Sequence, residues 1–244
     1  MTSPDRPAAR EPKYYTVKRH LLTSIEALEP GSLVATEREL AAELGTSRTT
    51  VRQALVELVA EGRLVRRQGS GTYVAEAKMT WPQDLSSFTE QAEANGLVPS
   101  SRLLASARIR ADDDVASMLN VSRGAPVYCV ERLRLGDEQP IAVESSWLSA
   151  QRFPRLGIVM RRAGSLHAVL ASDYGVRLRK GEESIETVPA SPEHAALLQT
   201  DTGSPLLVVK RRSFDAERTP VEWSTSWFRG DRITLVASLG KRAR

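Results

Sequence analysis

An internal repeat in the second half of the chain constrains its fold more than any other feature. Residues 111–148 align with residues 190–228 when one residue is inserted, and a Gly-x-Pro turn recurs at 124–126 and 203–205. A Ser-Trp pair at 146–147 matches another at 226–227. Each copy has the pattern of a helix, a turn, a strand, a hairpin and a return strand. Two copies predict an antiparallel sheet with pseudo-two-fold symmetry and helices packed on it, an α+β domain.

The composition indicates a globular protein without a membrane span. Among 244 residues, 34 Lys+Arg stand against 30 Asp+Glu, and this net charge of +4 is too small to identify a partner. There is neither an apolar stretch of about 18 residues nor a signal peptide, so we expect a cytoplasmic location. Because Cys129 is the single cysteine, the sequence excludes an internal disulfide and a cysteine-based metal cluster. We expect no cofactor and no metal. Residues 1–12 are predicted to be disordered.

Residues 13–76 carry the signals of three helices and a hairpin. The first helix is expected from about residue 14 to residue 28. A capping box, Thr36 with Glu39 three residues later, predicts the start of the second helix, which ends at Gly45. Two β-prone runs at 64–67 and 72–75 flank the turn sequence "QGSG".

The third helix follows the second after only "GTS", which is the spacing of a helix–turn–helix. Ser47 is a natural N-cap, and Gly62 lies where the helix is expected to stop. One face is apolar, with Val51, Leu55, Leu58 and Val59 at helical spacing. Three helices followed by a hairpin predict a winged helix–turn–helix.

Arginines at the start of the third helix point to an external anion. Arg48 and Arg52 lie at the positive end of the helix dipole, where cations are slightly disfavoured. In a major groove, arginine grips guanine while Ser and Thr hydroxyls bind phosphate. The alternatives are a solvated arginine pair and, for Arg38 on the second helix, a salt bridge. The expected partner is double-stranded DNA, and the candidate contacts are Arg38, Ser47, Arg48, Thr49, Thr50, Arg52, Gln53 and the wing tip, Gly69, Ser70 and Gly71.

The segment 35–75 resembles the signature of the GntR family of bacterial transcription regulators, with E-R-x-L-A, S-R-x-T-V-R-x-A-L and G-x-G-T-Y-V. The remainder, with "ERLRLGDEQPIAVESSWL" and "VEWSTSWFRGDR", resembles the UTRA effector domain of the HutC subfamily. The resemblance implies a chorismate-lyase-like fold over residues 85–241, after a linker at 77–84. It also implies a homodimeric repressor that binds inverted repeats and responds to a small effector.

The residues of the repeat suggest where an effector binds. Arg132 and Arg134 alternate along a strand, so both guanidinium groups project from one face and suit an anion. Glu144 lies on the return strand of the same hairpin. Glu222 aligns with Ala142 in the repeat and is expected on the equivalent face, so two carboxylates could meet in one cleft. The alternative is an Arg132–Glu144 ion pair that binds no ligand.

The resemblance is strongest to the amino-sugar-responsive members of the family, and it implies a phosphorylated sugar. Arg132, Arg134 and Ser165 would bind phosphate with the backbone around Ser87 and Phe88, while Glu144 and Glu222 would bind the sugar. The chain departs from these relatives at two positions. His167 replaces a tyrosine and could donate to phosphate or simply pack, and Phe228 replaces another tyrosine and removes a phenol from the sugar end.

Two other classes of function compete with this hypothesis. An enzyme is disfavoured because His20, His167, His194 and Cys129 form no recognisable catalytic triad or metal motif. We therefore predict no catalytic residues. The second alternative is a DNA-binding protein that needs no effector and whose second domain only dimerises.

Overall fold

A computed structural model describes residues 12–67, 69–75 and 78–238. The chain divides after Lys78 into two compact units, the second of which begins at Met79. Residues 1–11 and 239–241 lie outside the described residues, so the predicted disorder at 1–12 and the end of the effector domain at 241 stay predictions. No helix among the described residues is long and apolar enough to span a membrane.

The first unit is a winged helix–turn–helix, as predicted. Its second and third helices begin at the predicted caps. The Thr36 hydroxyl accepts a bond from the Glu39 amide at 3.3 Å, and the Glu39 carboxylate accepts one from the Thr36 amide at 2.8 Å. The Ser47 hydroxyl accepts a bond from the Thr50 amide at 3.1 Å. Its elements are α1 (Lys13–Glu26), α2 (Glu37–Glu43), α3 (Arg48–Ala60), β1 (Leu64–Arg67) and β2 (Gly71–Val74).

The apolar face of α3 forms the centre of this unit's core. Val51 and Leu58 are completely buried, and they pack in one cluster with Leu21 of α1. The wing has one more strand-like segment than expected, because Leu33 forms an antiparallel bridge with Tyr73 beside β2. The backbone before α2 therefore supports the wing from its outer side.

The second unit is built on a six-stranded antiparallel sheet in the order β4-β5-β6-β9-β8-β7. From either edge, the order is an outer strand followed by the first and then the second strand of a hairpin, because each half of the sheet is built from these three strands. Residues Glu144 and Ser226 pair where the halves meet, as do Ser146 and Ser224. Since Ser146 aligns with Ser226, the two pairs are exchanged by the pseudo-two-fold axis, which confirms the predicted repeat. The strands are β4 (Pro99–Arg110), β5 (Pro126–Gly136), β6 (Gln139–Ser149), β7 (Lys180–Pro189), β8 (Pro205–Phe214) and β9 (Pro220–Arg229).

Helices cover both faces of the sheet. The helix before each hairpin packs on one face, where Trp147 and Trp223 stack with ring centroids 4.7 Å apart. On the other face, apolar residues of β5 and β6 pack with the helical segment 156–174. The helices are α4 (Phe88–Ala94), α5 (Asp113–Leu119), α6 (Leu156–Val159), α7 (Leu166–Tyr174) and α8 (Pro192–Leu198).

The predicted linker at 77–84 is wrong for residues 79–82. Met79–Pro82 forms β3, which pairs in parallel with β10 (Ile233–Val236) near the end of the chain. The cause is Trp81, which is 4% exposed and packs against Phe88 and Phe228 with ring centroids 5.3 and 5.6 Å away. Burial of an indole stabilises this segment as part of the second unit.

Candidate functional sites

The start of α3 presents polar side chains to solvent. Arg48, Thr49 and Gln53 are exposed, on the side opposite the buried face of the helix. The hydroxyls of Ser47 and Thr50 hydrogen-bond each other at 2.8 Å, and Ser47 also caps the helix. Capping fixes the first turn, so the exposed side chains project from a rigid backbone.

Two basic side chains of this unit share one carboxylate. Arg52 donates to Glu37 from Nε at 3.0 Å and from Nη2 at 2.8 Å. Arg66 of β1 donates to the same carboxylate at 3.2 Å. Arg38, the next residue on α2, is exposed. The ion pair of Arg52 was not predicted from the sequence.

The wing tip requires glycine. Gly71 has φ +133°, and a Cβ atom there would lie 2.8 Å from Cδ1 of Leu33. Gly69 has φ +72° with open space around it. Ser70 is exposed, and its hydroxyl lies 2.5 Å from the phenol oxygen of Tyr73. The tip is thus a tight, exposed turn with little side-chain bulk, which suits close approach to another surface.

The second unit contains a small polar cleft on the sheet face opposite α5 and α8. Five of the predicted effector residues line it, namely Phe88, Arg134, Glu144, His167 and Glu222. The described residues that line the cleft do not include Arg132, Ser87 or Ser165. Ser87 and Ser165 instead cap α4 and α7 by accepting bonds from backbone amides.

A buried charge cluster forms one end of the cleft. Arg132 and Arg134 are 2% and 3% exposed, and Arg132 forms an ion pair with Glu144. Arg134 lies 3.4 Å from the same carboxylate and donates to the Ser101 hydroxyl at 2.6 Å. Burial alone raises the pKa of Glu144, but the two arginines outweigh it and lower the value to about 2. Burial lowers the pKa of Arg134 to about 10. The ion pair that the sequence left as an alternative is present.

A second carboxylate lies across the cleft from this cluster on β9. Glu222 is 3% exposed and lies 3.5 Å from Nε2 of His167. Burial raises the pKa of Glu222, but the hydrogen bond and charge of His167 outweigh it and hold the value below its ordinary range. Glu144 and Glu222 therefore come from different halves of the repeat and share the cleft, as predicted from the alignment.

Several lining residues were missed from the sequence. Gln91 is 3% exposed and donates from Nε2 to the Pro82 carbonyl at 2.9 Å and to the Asp84 carboxylate at 3.0 Å. Since both partners only accept hydrogen bonds, the amide orientation is fixed, and Oε1 is a buried acceptor without a partner. Oε1 of Gln83 is in the same state. No signal in the sequence marks these amides.

Arg211 also lines the cleft, and the repeat could have identified it. It aligns with Arg132 and forms an ion pair with Glu183 of β7. Its cross-strand neighbour on β9 is Ser224, which occupies the position equivalent to Glu144. The two halves thus carry equivalent arginines with carboxylates on different strands. Phe228 contributes an apolar wall.

The cleft is equipped to bind rather than to catalyse. Its lining combines guanidinium groups, carboxylates and amide oxygens, and this combination suits a small polar molecule with an anionic group and hydroxyl or amine donors. No group of three His, Cys, Asp or Glu side chains among the described residues could hold a metal ion. A winged helix–turn–helix and a ligand-binding domain in one chain define a ligand-responsive DNA-binding regulator.

The chain belongs to the gntR family of bacterial regulatory proteins. The model of that family matches residues 13–74, and the model of the UTRA domain matches residues 94–234. It is 35% identical to the HTH-type transcriptional repressor PhnF of Mycolicibacterium smegmatis over 94% of this chain and 93% of that protein. It is 29% identical to a probable fructoselysine utilization operon transcriptional repressor of Escherichia coli O157:H7, over 91% and 93%. The crystal structure of PhnF superposes with a TM-score of 0.66 at 33% identity, covering 93% of this chain and all of the other. The chain is therefore a DNA-binding transcription regulator with a domain for a small effector, and not an enzyme.

Proposed function

We propose that the chain is a cytoplasmic repressor that binds an inverted-repeat operator as a homodimer and releases it when a small anionic effector fills the cleft. The observation that carries the DNA-binding mode is the exposure of Arg48 and Gln53 on the rigid, capped first turns of α3. Side chains of this kind read base edges in the major groove. Arg38 and the wing tip, with Gly69 and Gly71, extend the same surface toward the phosphate backbone.

The effector that fits the cleft best is a phosphorylated sugar or amino sugar. Arg134 offers a buried guanidinium for phosphate, since Nε has no partner in the protein. Glu144, Glu222 and the unpaired Oε1 of Gln91 are acceptors for hydroxyl or ammonium groups. One relative is named as a probable fructoselysine utilization operon transcriptional repressor. Phe228, in place of the tyrosine that the resemblance implies, offers no hydroxyl group at the sugar end.

The competing view is that the second domain only dimerises and binds no effector. The unpaired buried atoms of Gln91 and Arg134 favour a ligand, because an unpaired buried polar atom is costly and a bound ligand would satisfy it.

In vitro DNA selection with the purified chain, followed by titration of sugar phosphates into the complex, tests the proposal. We expect an enriched inverted repeat, two chains per duplex, and release by one of glucosamine 6-phosphate, N-acetylglucosamine 6-phosphate or fructose 6-phosphate. The unphosphorylated sugars are the matched controls. Enrichment of no sequence would refute the DNA-binding mode, whereas selection without any thermal stabilisation by these compounds would favour the effector-independent alternative.

A further inference from the structure

The carboxylate of Glu37 joins three elements of the first unit. Glu37 is the first residue of α2, Arg52 lies in the second turn of α3, and Arg66 lies on wing strand β1. The carboxylate accepts bonds from both arginines, and its side chain is 19% exposed. Among the described contacts of Arg52, all hydrogen bonds go to this one carboxylate.

A negative charge at this place needs an explanation. The surface around it carries exposed arginines and is the surface proposed to meet DNA, where a carboxylate repels phosphate. The hydrogen bonds from Arg52, and then the charges of Arg52 and Arg66, outweigh partial burial and lower the pKa of Glu37, so the group is ionised at neutral pH. The carboxylate therefore weakens general attraction to DNA, and some other contribution has to offset that loss.

The geometry of the guanidinium supplies this contribution. Arg52 uses the edge formed by Nε and Nη2 to bind Glu37. Its two N–H groups on Nη1 and the second on Nη2 have no acceptor among the described residues, and the side chain is 58% exposed. The free edge, formed by Nη1 and Nη2, offers two parallel donors that match guanine O6 and N7. Because one edge is fixed, fewer rotamers are lost when the other edge meets a base.

We propose that Glu37 is a positioning residue for sequence recognition: it orients Arg52 toward a base and links that arginine to the wing through Arg66. This inference rests on the proposed DNA-binding mode. It predicts that Glu37 lowers the affinity for all DNA but raises the preference for the correct site. If Glu37 only repelled phosphate, by contrast, it would lower the affinity for every duplex by the same factor.

The test compares Glu37→Gln with the parent on two duplexes of equal length, one carrying the selected site and one unrelated. We expect Glu37→Gln to bind the unrelated duplex as well as or better than the parent, while the ratio of the two affinities falls about three- to tenfold. Glu43→Gln is the matched control, because it removes one charge from α2 and its carboxylate contacts His20 instead of an arginine. We expect it to leave the ratio unchanged.

A double-mutant cycle with Arg52→Ala separates positioning from a structural effect. If Glu37 acts through Arg52, Glu37→Gln has no further effect on the affinity ratio in the Arg52→Ala background. An unchanged ratio in Glu37→Gln, or an equal fall in both backgrounds, would overturn the proposal even if the melting temperature changes. A parent that prefers neither duplex would overturn it together with the DNA-binding mode, so the two failures are distinguishable.

Discussion

The buried charge cluster of the second unit makes a quantitative prediction for Glu144→Gln. Glutamine keeps the size of the side chain but removes the charge that neutralises Arg132 and Arg134, which are 2% and 3% exposed. Breaking a buried ion pair by removing one partner costs about 3–5 kcal/mol. We therefore expect the free energy of unfolding of this unit to fall by about that amount near neutral pH.

The loss should depend on pH in a defined direction. The pKa of Glu144 is about 2 in the folded chain against an ordinary value of 4.5. This difference corresponds to a contribution of about 3 kcal/mol to the free energy of unfolding. A lowered pKa contributes stability that is complete above 4.5 and is lost as the pH falls toward 2. Because the glutamine variant lacks this contribution at every pH, the difference between parent and variant should shrink through the same window.

Urea unfolding followed by tryptophan fluorescence measures this difference without interference from the first unit. All four tryptophans of the chain, Trp81, Trp147, Trp223 and Trp227, lie in the second unit. Glu186→Gln is the matched control, since Glu186 pairs with Lys210 at the surface and should contribute no more than about 1 kcal/mol. A Glu144→Gln variant as stable as the parent at every pH would refute the reasoning.

Three further predictions concern the wing, the helix cap and the cleft. Gly71→Ala should lower the melting temperature of the first unit and weaken DNA binding, because its Cβ would lie 2.8 Å from Leu33. Gly69→Ala has open space around it and should cost only the backbone strain of about 1–2 kcal/mol. Thermal melts followed by circular dichroism measure both effects. Ser47→Ala removes the N-cap of α3 and should cost about 1 kcal/mol in the same melts, a prediction that fails if the melting temperature is unchanged. Arg134→Lys should leave DNA affinity intact without ligand but weaken binding of an active sugar phosphate about tenfold by calorimetry, since lysine lacks the guanidinium fork; equal affinity would contradict the assigned role.

Local signals in the sequence were sufficient for much of the fold. The capping box at Thr36 and the N-cap at Ser47 depend on residues three positions apart, so they are visible in any short window. The repeat went further, because symmetry predicts which strands are neighbours. It predicts that Glu144 and Glu222 can meet in one cleft, and the match of Arg211 with Arg132 carries the same information about Arg211.

Local sequence patterns do not predict contacts between distant segments. Residues 79–82 form a strand because residues 233–236 pair with them and Trp81 packs against Phe88 and Phe228. The bond from Arg52 to Glu37 joins two helices, and a carboxylate near an arginine is too common in sequence to predict one. Oε1 of Gln91 has no partner among the described residues because the amide nitrogen of that side chain binds Pro82 and Asp84, and these bonds exist only in the folded chain.

The central claim is that the exposed first turn of α3 meets a DNA duplex, and the Arg48→Ala variant tests it most directly. Gel-shift titrations would compare the variant with the parent on the selected duplex and on an unrelated one, with Arg63→Ala as a charge-matched control on the same unit. The account predicts about a 5- to 150-fold loss of affinity for the selected duplex, since one bidentate base contact contributes about 1–3 kcal/mol. The melting temperature should not change, because the side chain is exposed. An Arg48→Ala variant that binds the selected duplex as tightly as the parent would contradict the claim.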